Sequence, residues 1–297
     1  MSTWIYVHDL DPIIFTAGPL RVGWYGTMYA VSFLTGYWYY LRMSRRPGSV
    51  IPTEEVPNLL TYIILGSVLG GRLGWVLFYG GTPYLLEPWR VLETWKGGMS
   101  FHGGLLGFLV AMWVYARRHG LELLKVGDFV LTWVPVGLFF GRIGNFINGE
   151  LYGKPTDGTW GVVFPSDGQG LPRHPSQLYE ALLEGALIFL VLSVLRDRVH
   201  RKGLQPAVFL LMYGLARITV EFVRLPDADI GYLAGFVTMG MVLSLPMVLV
   251  GAGWIVFTFL RIAPEPPPPA EAQTSPAASH QQGRGNRQGQ GKKNRRR

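Results

Sequence analysis

Apolar stretches of about twenty residues recur along the first 260 positions of the chain, and a bilayer core takes about 20 helical residues to cross. Seven such stretches can be marked, at Leu20 to Leu41, Val56 to Tyr79, Phe101 to Ala116, Phe129 to Ile147, Gln177 to Leu195, Ala207 to Val223 and Phe236 to Leu260. They predict an all-α polytopic membrane protein with seven transmembrane helices, small outward-facing loops or a cap, and a C-terminal tail. The third stretch is short and Gly-rich, so a tilted or partly re-entrant segment is expected there. Composition agrees: 49% of the 297 residues are hydrophobic and 15% charged, too apolar for an ordinary soluble domain. The 39 Gly and 21 Pro follow no collagen period. Met1 to Leu10 lacks a basic region followed by an apolar core, so the first span is expected to stay in the mature protein.

The formal charge is +8, but Arg284 to Arg297 alone holds seven basic residues and no acidic one. Residues 1–262 therefore read as a membrane domain, and residues 263–297 as a disordered, Pro-, Gln- and Gly-rich basic tail that buries too little to offset its ordering entropy. Anionic lipid headgroups are the expected neighbour of this tail, and nucleic acid is not an expected partner. Loop charges set the orientation. Arg42, Arg45 and Arg46, then Arg117, Arg118 and Lys125, then Arg196, Arg198, Arg201 and Lys202, and finally Arg261 with the tail, fall on one side. The positive-inside rule makes that side cytoplasmic and the N-terminus external. The outward stretches Gly80 to Ser100 and Gly149 to Ser176 read as a small cap or interfacial loops. With no Cys in the chain, any thiol chemistry must use a partner's sulfur. No ligand-spaced His pair or carboxylate cluster argues for a metal.

Three arginines, Arg72, Arg142 and Arg217, lie in or at the edges of apolar spans, where a guanidinium needs an acceptor or a wet cavity. Gly66, Gly70 and Gly74 mark the helix around Arg72 as a close-packing surface. From Gly141 to Gly153 the sequence places Arg142, Asn145 and Asn148 on one helical face with Glu150 just beyond. Gly137, Gly141 and Gly144 line the neighbouring face and are expected to leave room for a bulky ligand. An Arg fork can grip phosphate and Asn can donate to ester or hydroxyl oxygens. The sixth span repeats the logic with Tyr213, Arg217, Glu221 and Arg224 on one face. There Glu221 can pair with Arg217, and the second guanidinium leaves an expected excess of positive charge for an anion. His102, in a Gly-rich run at the outward start of the third span, is a candidate proton acceptor. His174 is a weaker candidate. His8, His119, His200 and His280 receive no role.

Together these strings resemble the bacterial phosphatidylglycerol:prolipoprotein diacylglyceryl transferase family. The resemblance is close across Gly141 to Gly153 and extends to Trp24-Tyr25-Gly26, Gly97 to Gly104, Arg173 to Glu180 and Tyr213 to Arg224, within a match from about Asp11 to Leu260. It does not include the tail beyond Ala263. It implies a seven-helix enzyme of the bacterial cytoplasmic membrane that moves the diacylglyceryl group of phosphatidylglycerol to the lipobox cysteine thiol of a preprolipoprotein, releasing glycerol phosphate, with no cofactor. Family residues fall on Tyr25, His102, Arg142, Asn145, Glu150, Gly153, Tyr213, Arg217, Glu221 and Arg224; Tyr25 and Gly153 come from the resemblance alone. On this reading Arg142 and Arg217 clamp phosphate with Arg224 in support, Asn145 and Tyr213 orient oxygens, and Glu221 holds Arg217. His102 is the first choice of base, with Glu150 the other. A seven-span transporter or receptor for a small anion is the alternative, but it predicts polar residues continuing to the cytoplasmic side. Here they gather toward the outward half.

Overall fold

A computed structural model of the chain describes residues 4–18, 20–81, 84, 86–93, 97–226 and 231–266; Trp95 and the tail beyond Pro266 lie outside them. Eight helices make up most of the described chain. They are α1 (Trp24–Ser44), α2 (Val56–Trp75), α3 (Phe101–Arg118), α4 (Leu123–Leu131), α5 (Val134–Ile147), α6 (Ser176–Arg198), α7 (Leu204–Glu221) and α8 (Met239–Arg261). By length and apolar composition, Thr53–Gly80, Ser176–Arg198 and Met239–Arg261 can cross a membrane, and α4 with α5 forms a fourth candidate bent by 40°.

The boundaries differ from the sequence expectation for local reasons. The first apolar stretch starts as a strand, Leu20–Gly23, and turns helical only at Trp24. The third stretch is an uninterrupted 18-residue helix that begins with the Ser100 hydroxyl accepting from the Gly103 amide; its glycines are packing residues, not a break. The fourth stretch does break. Thr132 caps the end of the first half, Trp133 opens the second, and Pro135 in the first turn of α5 cannot continue the ladder of α4. In α6, residues Ala181–Leu187 are wound as a π-helix.

Glycine sets the helix contacts. A Cβ on Gly70 or Gly107 would lie 2.4 Å from the Gly103 carbonyl or 2.0 Å from that of Gly66, so α2 and α3 touch backbone to backbone. Gly185 of α6 meets the Phe139 backbone of α5, and Gly214 and Gly251 join α7 to α8 in the same way. At the end of α1 remote from β3, an apolar core gathers Tyr40, Val56, Leu59, Met112, Tyr115, Phe129 and Val130. The Tyr40 hydroxyl is satisfied there by the Val130 carbonyl at 2.7 Å.

An all-α description is too strict, because the segments that leave the bundle pair their backbone groups as short strands. Strands β1 (Trp4–Val7), β2 (Ile13–Ala17), β3 (Leu20–Gly23), β4 (Trp160–Val163), β5 (Pro172–Arg173), β6 (Tyr232–Ala234) and β7 (Val237–Thr238) form one sheet and two hairpins. The sheet runs β1-β4-β5, with β1 parallel to β4 and β5 antiparallel to it. Buried Arg173 fastens it, donating to Asp167 at 2.8 and 2.9 Å and to Gln169 at 2.9 Å. This sheet with its loops caps one end of the bundle; of the two stretches expected to form a cap or interfacial loops, Gly149 to Ser176 supplies β4 and β5, while β1 comes from the N-terminal segment.

Candidate active site

The charged side chains of α5, α6 and α7 converge at the end of the bundle that carries the sheet. Arg142 Nη2 lies 2.6 Å from Glu180 and 3.5 Å from Glu184. Arg217 bonds Glu221 at 2.6 Å and reaches Glu180 at 3.3 Å and Glu184 at 4.0 Å. Arg224 meets Glu221 at 3.3 Å and Glu180 at 3.9 Å. Glu180 and Glu184 are fully buried, one helical turn apart, and the π-wound segment after Glu180 carries Glu184. Such windings recur at functional sites.

This geometry corrects the expected excess of positive charge. Three carboxylates face three guanidiniums, because α6 supplies two that the sequence pattern gave no reason to place beside α7. Sequence reasoning missed Glu184 and treated Glu180 only as part of a span entrance; two carboxylates four residues apart inside an apolar run were the available signal. The pairing Arg217–Glu221 is as expected. Glu180 Oε1 and Glu184 Oε1 are buried without a hydrogen-bond partner, so the network holds acceptor capacity that its own residues leave unused.

Beside this network, Asn145 donates to Glu150 at 2.9 Å and Asn148 donates to the same oxygen at 3.2 Å. One of the two Asn145 amide N–H groups is therefore spent on a carboxylate. Glu150 sits on a turn fixed from α6: Gln177 donates to the Glu150 carbonyl at 2.6 Å and Ser176 to that of Leu151 at 3.0 Å. Leu151 has a φ of 58°, the one non-glycine residue with positive φ among those described, and a backbone in that region costs free energy that the surrounding bonds must offset. His8, given no role from sequence, is buried here, its Nε2 2.8 Å from the Phe146 carbonyl at the end of α5.

Tyr25 opens α1 with its hydroxyl 3.3 Å from that of Tyr29, close enough to Glu150 and Arg142 to feel both charges. The glycine face expected to admit a ligand is filled by α1. A Cβ on Gly144 would meet the Tyr25 ring at 3.0 Å, and Gly137 and Gly141 face Ser32 and Tyr29. Tyr213 stacks on Phe209 and lies near Glu184, Arg142 and Arg217. Gly153 is enclosed by the Val223 carbonyl and His174, with no space for a Cβ, and it bridges to Arg224. His174 makes its ring contacts with Trp160 and Tyr179, and burial pushes its imidazole below the ordinary histidine range.

Two candidates fall outside the network. His102 is exposed on the first turn of α3, beside Phe101, and makes no hydrogen bond among the described residues. Arg72 is buried but has a structural task. It donates to the carbonyls of Val91 (2.8 Å), Arg90 (2.7 Å) and Gly97 (2.6 Å), tying residues 90–91 and 97 to α2.

A model of the prolipoprotein diacylglyceryl transferase family matches residues 12–257. The phosphatidylglycerol–prolipoprotein diacylglyceryl transferase of Nitratidesulfovibrio vulgaris is 54% identical over 243 residues, 82% of this chain and 92% of that protein. Proteins of the same name from Azotobacter vinelandii and Pseudomonas fluorescens are 47% and 46% identical, each covering 86% of this chain and 97% and 96% of their own lengths. The match takes in every helix that contributes to the ion network, and the chain belongs to the prolipoprotein diacylglyceryl transferase family.

Proposed function

We propose that the protein transfers the diacylglyceryl group of phosphatidylglycerol to the lipobox cysteine of a preprolipoprotein, the first step of bacterial lipoprotein maturation. The observation that carries this reading is the network of Arg142, Arg217 and Arg224 with Glu180, Glu184 and Glu221 inside an apolar bundle, in a chain whose relatives bear that activity in their names. A bond forms between the cysteine sulfur and a glycerol carbon of the lipid as the bond from that carbon to the phosphate oxygen breaks. The thiol proton is taken up by a base, and glycerol phosphate departs with the bonding electrons. No electron is gained or lost overall, so the chemistry calls for no redox cofactor.

Arg142 and Arg217 form the phosphate clamp, with Arg224 in support. A guanidinium carries five N–H donors, and those not spent on the carboxylates remain for phosphate oxygens. Preorganised charge of this kind stabilises the leaving group without reorganisation during the reaction. Tyr213 and Tyr25 flank the clamp and orient the headgroup, while Asn145 acts through Glu150. Between the two candidate bases the surroundings favour Glu150, which Asn145 ties to the helix end carrying Arg142. His102, on a helix that packs chiefly against α2, is the second reading; its exposed ring is free to accept a proton from a thiol arriving through water.

On this reading α1, α3 and α7, of 21, 18 and 18 residues, join the four apolar candidates as spans. The N-terminus and cap then face the periplasm, with the C-terminus in the cytoplasm. Residues 1–262 are the catalytic domain and 263–297 a dispensable tail. The testing experiment incubates purified protein with phosphatidylglycerol and a lipobox peptide and weighs the peptide. A diacylglyceryl mass increment is expected, and its absence together with transport of an anion would overturn the reading.

A further inference from the structure

The carboxylate of Glu221 divides its two oxygens between two helices. Oε1 accepts from Arg217 at 2.6 Å and Arg224 at 3.3 Å, both on its own helix α7 or just past its end. Oε2 accepts from the Thr238 hydroxyl at 2.6 Å, in a buried bond 17 residues away in sequence. Thr238 is also the N-cap of α8, its oxygen accepting from the Met241 amide at 3.3 Å. A Cβ placed on Gly240 would fall 2.6 Å from the Glu221 carboxylate, so the acid rests on the backbone of the first turn of α8, where the helix dipole favours negative charge. Arg217, Glu221, Arg224, Thr238 and Gly240 all line one small polar pocket.

We infer that the turn Thr238–Gly240 is a positioning device for the reaction: it fixes Glu221, and through Glu221 the aim of the Arg217 and Arg224 guanidiniums at phosphate. The inference rests on the clamp proposed above and assigns it a support on α8. The hydroxyl is needed as a donor, since a carboxylate only accepts. Gly240 is needed for its missing side chain. Without either, Glu221 keeps its arginine partners but is free to swing, and the guanidiniums swing with it. A misaimed clamp lowers turnover more than it weakens lipid binding, because alignment matters most in the transition state.

The variants Thr238→Ser, Thr238→Asp and Gly240→Ala separate this role from simple capping of α8. Serine keeps both bonds and should retain at least about half of kcat. Aspartate still caps the Met241 amide but, ionised, has no proton to give Glu221; kcat for peptide modification should fall about 10-fold to 100-fold, the range for a hydrogen bond to a charged group. Gly240→Ala leaves the cap intact and displaces the flexible end of Glu221, and a similar loss is expected. KM for phosphatidylglycerol should change much less in both, and the thermal midpoint of Gly240→Ala should stay near that of the parent. If Thr238→Asp fails to fold, the turnover of Gly240→Ala decides alone. Both variants within about twofold of the parent, or losses that track the fall in thermal midpoint, would overturn the inference. Arg217→Ala measured alongside tells the two levels apart. An inactive Arg217→Ala beside fully active turn variants overturns the positioning role alone, whereas an active one overturns the clamp and the positioning role with it.

Discussion

At the residue scale, the guanidiniums of Arg142 and Arg217 are shared between buried carboxylates and the proposed phosphate. Removing either should abolish or nearly abolish transfer, by about 100-fold or more if each acts as a preorganised donor to the leaving group. Arg217→Lys should rescue poorly, because an ammonium cannot bridge Glu180 and Glu221 as the fork does. The same mass measurement on the lipobox peptide checks this, with folded, inserted mutants of near-parent turnover as the contrary result. The two candidate bases separate by pH. If Glu150 takes the thiol proton, His102→Gln should keep much of the activity, and Glu150→Gln should lose turnover that is partly restored as pH rises and the peptide thiol ionises unaided. Rescue by pH in His102→Gln, with Glu150→Gln inactive throughout, would instead make His102 the base and Glu150 a residue of position.

At the element scale, the bundle is assembled through helix pairs that only glycine permits. The α2–α3 seam brings Gly66, Gly70 and Gly74 against Gly103, Gly107 and Ala111, and Arg72 emerges from it to hold the carbonyls of Val91 and Gly97. Gly107→Ala should force the helices apart. Overpacking of this kind costs about 1–3 kcal/mol, read as a lowered thermal midpoint in detergent, and the displaced α3 should carry His102 with it. Gly26→Ala, where a Cβ meets nothing within 4 Å, is the matched control and should leave the midpoint unchanged. The α5–α6 contact obeys the same rule at Gly185, and there the close approach lets Glu180 and Glu184 reach Arg142 across the helix boundary.

At the scale of the whole molecule, the ion network, the turn at Glu150 and the β cap share one end of the bundle, while the apolar core around Tyr40 and Tyr115 fills the other. A one-sided site of this kind suits substrates that arrive from a single face of the membrane and needs nothing from the tail. Deleting Pro264 to Arg297 should therefore leave peptide modification largely intact, with an effect on expression or membrane-surface affinity alone. Loss of activity in a truncated protein that still inserts and folds would give the tail a role in the reaction.

Apolar length and in-span polarity are local properties, and they were legible directly: the helical membrane bundle, the position of most helices within a few residues, and the polar stripes that carry Arg142 and Asn145 on one helix and Arg217 and Glu221 on another. Residues on one helix face follow from a fixed helical period, which is why the Arg217–Glu221 pair was readable. What no period encodes is which helix lies against which. That decided the neutralisation of three arginines by Glu180, Glu184 and Glu221, the filling of the Gly144 face by Tyr25, and the union of His8 with the end of α5 across 138 residues. It also decided the meeting of Thr238 with Glu221. In each case a buried polar group takes whatever partner packing brings within reach, so its partner is a property of the assembled bundle and not of the chain around it.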